Sequence, residues 1–257
     1  MKTCPQIALF LFTVAQGLTA QQPAAVDSSK PCTWDPRCSS PGVTLQLQEI
    51  SRERGRRGTN VKYRLVPAGF PRDIVYTLWL WSAGSEPEAL LTGFVADTSG
   101  SIVCGDSTSL RAVSRSKLRW CGGWISDWTA GGFLPGEPYR IALVSTDEST
   151  RANALAFPFP LQSSDGTCRL RLELVSWNAF AAWSEGFEPG DTLQTISRSG
   201  NEILSDSMTV LADSTPAPVI ISPGVKGKRG GTATYTIVGR RCRVEVTYPW
   251  GNALKPR

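Results

Sequence analysis

Histidine is absent from all 257 residues, and that absence limits the chemistry before any other residue is weighed. Ser-His-Asp and Cys-His catalysis, histidine-ligated metal centres and the usual general base near neutral pH all need an imidazole. Two routes do without it. Ser114-Arg115-Ser116-Lys117 matches S-x-x-K, in which a lysine of lowered pKa activates a serine, but the S-D-N and K-T-G companions are missing and the segment is highly charged, so the match reads as coincidence. A pair of carboxylates at a set separation can hydrolyse a glycoside, and Asp127, Glu137, Asp147, Glu148, Glu173, Glu185, Glu188 and Asp191 are available. Most of these stand at turns, where solvation already accounts for acidic residues, and nothing in their spacing selects two. The reading is therefore a protein without enzymatic activity and without a cofactor, with a carboxylate-dependent glycoside hydrolase as the least favoured alternative.

Binding chemistry has better candidates. Between Ile220 and Arg257 there are eight basic residues against one acid, Glu245, in a chain of formal net charge +5. Lys226, Lys228, Arg229, Arg241 and Arg243 would form a basic carboxy-terminal face suited to an anionic polymer. Lys226-Gly-Lys-Arg-Gly-Gly231 lacks the spacing of a phosphate-cradling G-x-x-x-x-G-K-[ST] loop and precedes a strand, so it reads as a basic hairpin turn. The arginine-rich stretch Arg52 to Gly58 reads likewise as a solvated hairpin loop. Trp120, Trp124 and Trp128 recur every fourth residue beside Asp127. A short helix would gather them on one face, able to stack on a neutral sugar while the carboxylate orients it. Gly122-Gly123 weakens such a helix, and the competing reading packs these rings at a sheet end.

The cysteines and the amino terminus place the chain. Lys2, the apolar run Ile7 to Val14 and the small residues near Ala20 compose a secretory signal over residues 1–20. Its removal takes Cys4 away and leaves six cysteines in an exported chain, for which disulfides are the expectation. Six cysteines allow many pairings. Cys32 with Cys38, Cys104 with Cys121, and Cys168 with Cys242 need the least rearrangement; without histidine or a CxxC spacing no metal site is expected. No segment approaches the ~20 apolar residues of a membrane-spanning helix, so the mature protein is expected in the periplasm or secreted, with no membrane span and no nucleic-acid partner.

The elements that must hold these residues are strands. Cys168 to Leu174 and Cys242 to Tyr248 alternate strictly between apolar and polar residues, the period of a half-buried strand. Strands are likewise expected at 43–50, 61–66, 74–81, 90–96, 101–104, 139–145 and 152–159, with Ile74 to Trp81 apolar on both faces and hence central. Pro160 to Gly166 reads as a flexible joint between two domains, 31–161 and 162–251, after a disordered lead-in at 21–30 and before a tail at 252–257. Beyond the joint, seven strands are expected near 168–176, 178–184, 191–197, 202–212, 217–221, 232–238 and 242–248.

Gly132-Phe133-Leu134-Pro135-Gly136-Glu137 and Gly186-Phe187-Glu188-Pro189-Gly190-Asp191 echo each other, and Gly69-Phe70-Pro71 with Asp73 is a looser third copy. Their Pro and Gly suit tight turns, and each Phe can plug a sheet end. Over Cys168 to Gly251 the chain resembles the immunoglobulin-like domains of bacterial envelope proteins, in which a Gly-Phe-x-Pro-Gly-acid segment leads into a strand. That resemblance implies an all-β protein of two β-sandwich domains, the second immunoglobulin-like, with its first and last strands side by side and parallel and a Cys168–Cys242 staple between them. The likeness bears on architecture more than on activity; the chain as a whole reads as a non-catalytic binding or structural protein of the cell envelope, and the local charge suggests an anionic envelope polysaccharide, or else an envelope protein, as its partner. The alternative is a neutral-carbohydrate-binding module that uses Trp120, Trp124 and Trp128.

Overall fold

Period-two alternation becomes seventeen strands among the described residues of the computed structural model of the chain. The structure describes residues 38–55, 58–105, 119–122, 127–210 and 218–257. Among them there is no α-helix, and no helix is long and apolar enough to cross a membrane.

The first ten strands are β1 (Thr44–Gly55), β2 (Gly58–Ala68), β3 (Tyr76–Trp81), β4 (Glu88–Ala96), β5 (Ile102–Cys104), β6 (Arg119–Trp120), β7 (Asp127–Gly131), β8 (Tyr139–Ser145), β9 (Arg151–Ala156) and β10 (Leu161–Asp165). Seven more follow: β11 (Cys168–Ser176), β12 (Ala179–Glu185), β13 (Thr192–Ser199), β14 (Glu202–Thr209), β15 (Val219–Ile221), β16 (Gly230–Val238) and β17 (Arg243–Gly251). They form four sheets, ordered β1-β2-β7, β5-β4-β3-β8-β9 with β6 beside β4, β10-β11-β12-β15, and β14-β13-β16-β17. The protein is all-β, and its sheets stack as sandwiches.

Val43, Leu45, Val61, Tyr63 and Leu65 from the first sheet meet Tyr76, Leu78, Phe94, Ile141 and Leu143 from the second. Tyr139 stacks on Tyr63 and takes the edge of Phe133, with ring centres 5.6 and 5.2 Å apart. In the second core Leu170, Leu172, Leu174 and Phe180 face Leu193, Tyr235, Ile237, Val244, Val246 and Tyr248. β3, apolar on both faces, lies in the middle of its sheet as its composition requires.

The repeated glycine-phenylalanine motif is a structural device. Phe70 and Phe133 are buried in the first core and Phe187 packs against the second. The Glu137 amide donates to the Leu134 carbonyl and the Asp191 amide to the Glu188 carbonyl, closing equivalent turns. Gly69 and Gly186 adopt positive φ, 75° and 79°, and each lies against the backbone of a strand entry. A Cβ there would overlap the carbonyl oxygen of Gly42 or Thr167 respectively, so both positions require glycine.

Three expectations are corrected. Residues 160–166 are not a flexible joint: β10 pairs with β11 from Leu161↔Leu172 to Asp165↔Cys168, turning at Gly166-Thr167. An edge strand with serines on it has the composition of a linker, which is why sequence misreads it. The residues after Gly251 are not a loose tail: Leu254 is buried in the second core, the Arg257 amide donates to the Phe133 carbonyl, and the Thr59 amide donates to the Arg257 carbonyl. Finally, β11 and β17 run parallel but belong to opposite sheets. They meet at the Cys168–Cys242 disulfide and again where the Gly251 amide donates to the Trp177 carbonyl, so the bridge staples sheet to sheet.

The two sandwiches abut. Ala83, Leu134 and Leu161 pack against the second core, and Arg140 on β8 is ion-paired with Glu173 on β11, both side chains 10% exposed. The Arg140 guanidinium also lies 4.5 Å from the centre of the Trp81 ring.

Candidate functional site

The five basic residues expected on one face are divided between two ends. Lys226, Lys228 and Arg229 occupy the loop from β15 to β16, whereas Arg241 and Arg243 stand where β16 turns into β17. The nine residues of β16 separate the two groups by about 30 Å. Charge counting along the sequence cannot see this, because a hairpin returns the chain to its starting level only after two strand lengths.

The electrostatics of the two ends also differ. Arg241 pairs with Glu188 at 2.5 Å, Arg240 approaches Asp191 at 3.7 Å, and Arg243 approaches Glu245 at 3.3 Å while its amide donates to the Asp165 carboxylate. Those arginines are largely spent on neighbouring acids. Lys226, Lys228 and Arg229 are exposed, and among the described residues no carboxylate reaches their charged groups within ion-pair distance. Glu202 accepts only from the Lys226 amide.

An aromatic residue joins that loop. Trp177, in the turn between β11 and β12, is 63% exposed. Its carbonyl accepts from the Gly251 amide, and the next amide, that of Asn252, donates to the Arg229 carbonyl. Two successive amides thus tie the main chain at exposed Trp177 to that at Arg229 in the basic loop. A cleft of about 390 Å³ opens nearby, lined by Pro135, Thr232, Tyr248, Pro249, Lys255 and Arg257 among others, with two cations and no acid. This end of the second sandwich therefore offers exposed cations outside ion-pair distance of any described carboxylate, and an exposed ring. Sequence reasoning passed over Trp177. Its signal was a tryptophan in the turn Ser176-Trp-Asn178, where a polar residue is the norm.

The two tryptophans of the trio that fall among the described residues are divided between two strands. Trp120 lies on β6, beside β4, and Trp128 on β7, beside β2, so the two belong to different sheets; Trp124 lies outside the described residues. Pairing of strands 119–120 and 127–131 to different partners overrides the four-residue spacing. Asp127, expected to orient a sugar, is held by Arg64 through two hydrogen bonds of 2.6 and 2.9 Å and by Lys62 at 3.5 Å. The Arg64 bonds pull its carboxyl down to about 2.

Most of the other carboxylates are engaged in the fold. Glu137 accepts from the Leu134 amide, and burial raises its pKa. Asp147 accepts from the Ser149 amide and hydroxyl. Glu173 and Glu188 have arginine partners. Glu148 sits at positive φ in a turn, and Glu185 faces Arg169 across the β11–β12 pair. The Ser114–Lys117 motif lies outside the described residues.

The Cys104–Cys121 and Cys168–Cys242 bonds are present, with Cα atoms 5.6 and 6.4 Å apart. Cys38 is disulfide-bonded, and Cys32 lies outside the described residues, as do the expected secretory signal and lead-in. Among the described residues no three metal-ligating side chains cluster.

No family model and no curated protein matches the chain. Among solved structures it is similar to the tetra-tandem repeat in the extending region of a large adhesion protein, at 9% identity and a TM-score of 0.24 over 83% of this chain and 50% of that one. It is similar also to the 47-kilodalton lipoprotein of Treponema pallidum, at 11% identity and a TM-score of 0.19 over 81% of this chain and 51% of that one. The chain thus spans about half the length of each, and likeness at this level identifies neither a family nor an activity.

Proposed function

We propose that this is an exported, non-catalytic binding protein of the bacterial cell envelope that holds an anionic polysaccharide at the basic end of its second sandwich. The observation that carries the reading is the pair of successive amides, Gly251 and Asn252, that joins the backbone at exposed Trp177 to Arg229, the last residue of the loop that also carries Lys226 and Lys228. Two supports are indirect. Disulfides belong to oxidising compartments, and the carboxylates available to a hydrolase are mostly bound to arginines or backbone amides.

Capture of the oxidised protein on immobilised acidic and neutral polysaccharides, at low and high salt, tests the reading. Acidic polymer should be held at low salt and released at high salt, because exposed charges are screened. Reversing Lys226, Lys228 and Arg229 to Glu should weaken capture at least about tenfold, taking roughly 0.5 kcal/mol per exposed charge. Reversing the already paired Arg241 and Arg243 should matter far less. Capture indifferent to the triple reversal sinks the proposal; salt-resistant capture of neutral polymer, lost in Trp177→Ala, would assign this end to neutral carbohydrate instead.

A further inference from the structure

The outer face of the β10-β11-β12 sheet carries a groove that the basic end does not use. Along these strands Leu161, Leu170 and Leu172 point into the core, so their alternates point out. Two rows result: Gln162, Arg171 and Trp183 stand side by side in one, and Ser164, Arg169 and Glu185 in the other. Together they line a groove of about 370 Å³, within the size range of small-ligand sites.

Its chemistry is specific. The Arg171 guanidinium lies 4.7 Å from the centre of the Phe157 ring, which holds its plane in place. The Nε of Arg171 and the Nε1 of Trp183 are buried without a hydrogen-bond partner, and such unmade bonds call for an explanation. Arg169 is exposed, and neither arginine is ion-paired among the described residues.

The geometry points to a binding site for a carboxylate-bearing pyranose, the acidic residue of a glycan. Trp183 offers a flat apolar surface to the ring, Arg169 and Arg171 offer planar donors to its carboxylate, and Gln162, Ser164 and Glu185 accept or donate to its hydroxyls. A ligand with only an anionic group would leave Glu185 repelling it. A neutral sugar would leave the Arg171 guanidinium without a counter-charge and Arg169 with only its cross-strand neighbour Glu185. The groove lies toward the disulfide end of the sandwich and the basic loop toward the other, so the two sites fail or stand separately.

Calorimetric titration of the whole oxidised protein with tri-galacturonic acid, and with the neutral galactose trimer as control, tests this. The acidic trimer should bind at least about tenfold tighter than the neutral one, and Arg169→Gln and Arg171→Gln should each weaken it at least about tenfold, as loss of a charge-assisted bond does. The Lys226→Glu, Lys228→Glu, Arg229→Glu triple variant should leave its Kd within about twofold, the sites being beyond a Debye length. Because Arg171 also packs on Phe157, Arg169→Gln decides if the former variant misfolds. Failure of the acidic trimer to bind, equal binding of the neutral trimer, or loss of binding in the triple variant but not in Arg169→Gln would overturn the assignment.

Discussion

Removing the carboxylate of Glu173 is expected to loosen the whole molecule. Glu173 lies on β11 of the second sandwich and Arg140 on β8 of the first, each with only 10% of its side chain exposed. Glu173→Ala leaves the guanidinium at the junction without its counter-charge, which costs roughly 3–5 kcal/mol for a buried pair. Against a total stability of order 5–15 kcal/mol for a folded domain, that is about a fifth or more. Arg140→Ala should cost at least as much, since it also removes the contact with Trp81 at 4.5 Å, worth about 1–2 kcal/mol when desolvated. Replacing both with leucine leaves no orphaned charge and should cost less than the sum of the two truncations. Because the pair links two separate cores, the single variants should also unfold in two steps where the parent unfolds in one. Urea titration of the oxidised protein, followed by tryptophan fluorescence and far-ultraviolet circular dichroism, reads all of this. Destabilisation by Glu173→Ala of less than about 1 kcal/mol, or strict additivity in the double variant, would show that water reaches the junction and would refute the reasoning.

Other outcomes follow from particular residues. Converting Cys168 and Cys242 to serine opens a loop of sequence separation 74, and the chain-entropy model gives a loss of about 4.5 kcal/mol in equilibrium unfolding, against about 3 for the Cys104–Cys121 loop; a larger effect from the shorter loop would contradict that account. Gly190→Ala, at φ 83° in open space, should lower stability by roughly 1–2 kcal/mol. Gly186→Ala adds overlap with the Thr167 carbonyl and should shift the thermal midpoint markedly further; equal shifts would mean that the strand entry yields freely. The Asp127 carboxyl should titrate near about 2 by carbon-detected NMR and return toward the ordinary carboxylate range in Arg64→Ala. A depressed pKa contributes stability above the unfolded-state value, so this contribution should disappear as pH falls from about 4 to 2; an unshifted midpoint in the parent would show that Arg64 does not hold Asp127 in solution.

Much of the fold was legible because a strand announces itself locally. Leu170, Leu172 and Leu174, or Val244, Val246 and Tyr248, alternate with charged residues, and each set went to the core. The disulfide pairs Cys104–Cys121 and Cys168–Cys242 were also accessible, since short loops and matching strand entries favour them. Less of the candidate site could be read. Arg241 and Arg243 are near Lys228 in sequence yet a strand length away in space, and Glu188, the counter-charge of Arg241, comes from a distant segment. Trp120 and Trp128 are eight positions apart on different sheets.

Residue type and period by themselves determined the all-β class, the exclusion of imidazole chemistry and the inward faces of β11 and β17, because these depend on a few adjacent residues and on the pleat. Which strands lie beside which was decided only in three dimensions, by pairing and packing energies between segments far apart in the chain. That is why the linker-like serines of β10 became an edge strand, why Arg140 and Glu173 came together at the junction, and why the turn at exposed Trp177 came to lie against the loop that ends at Arg229.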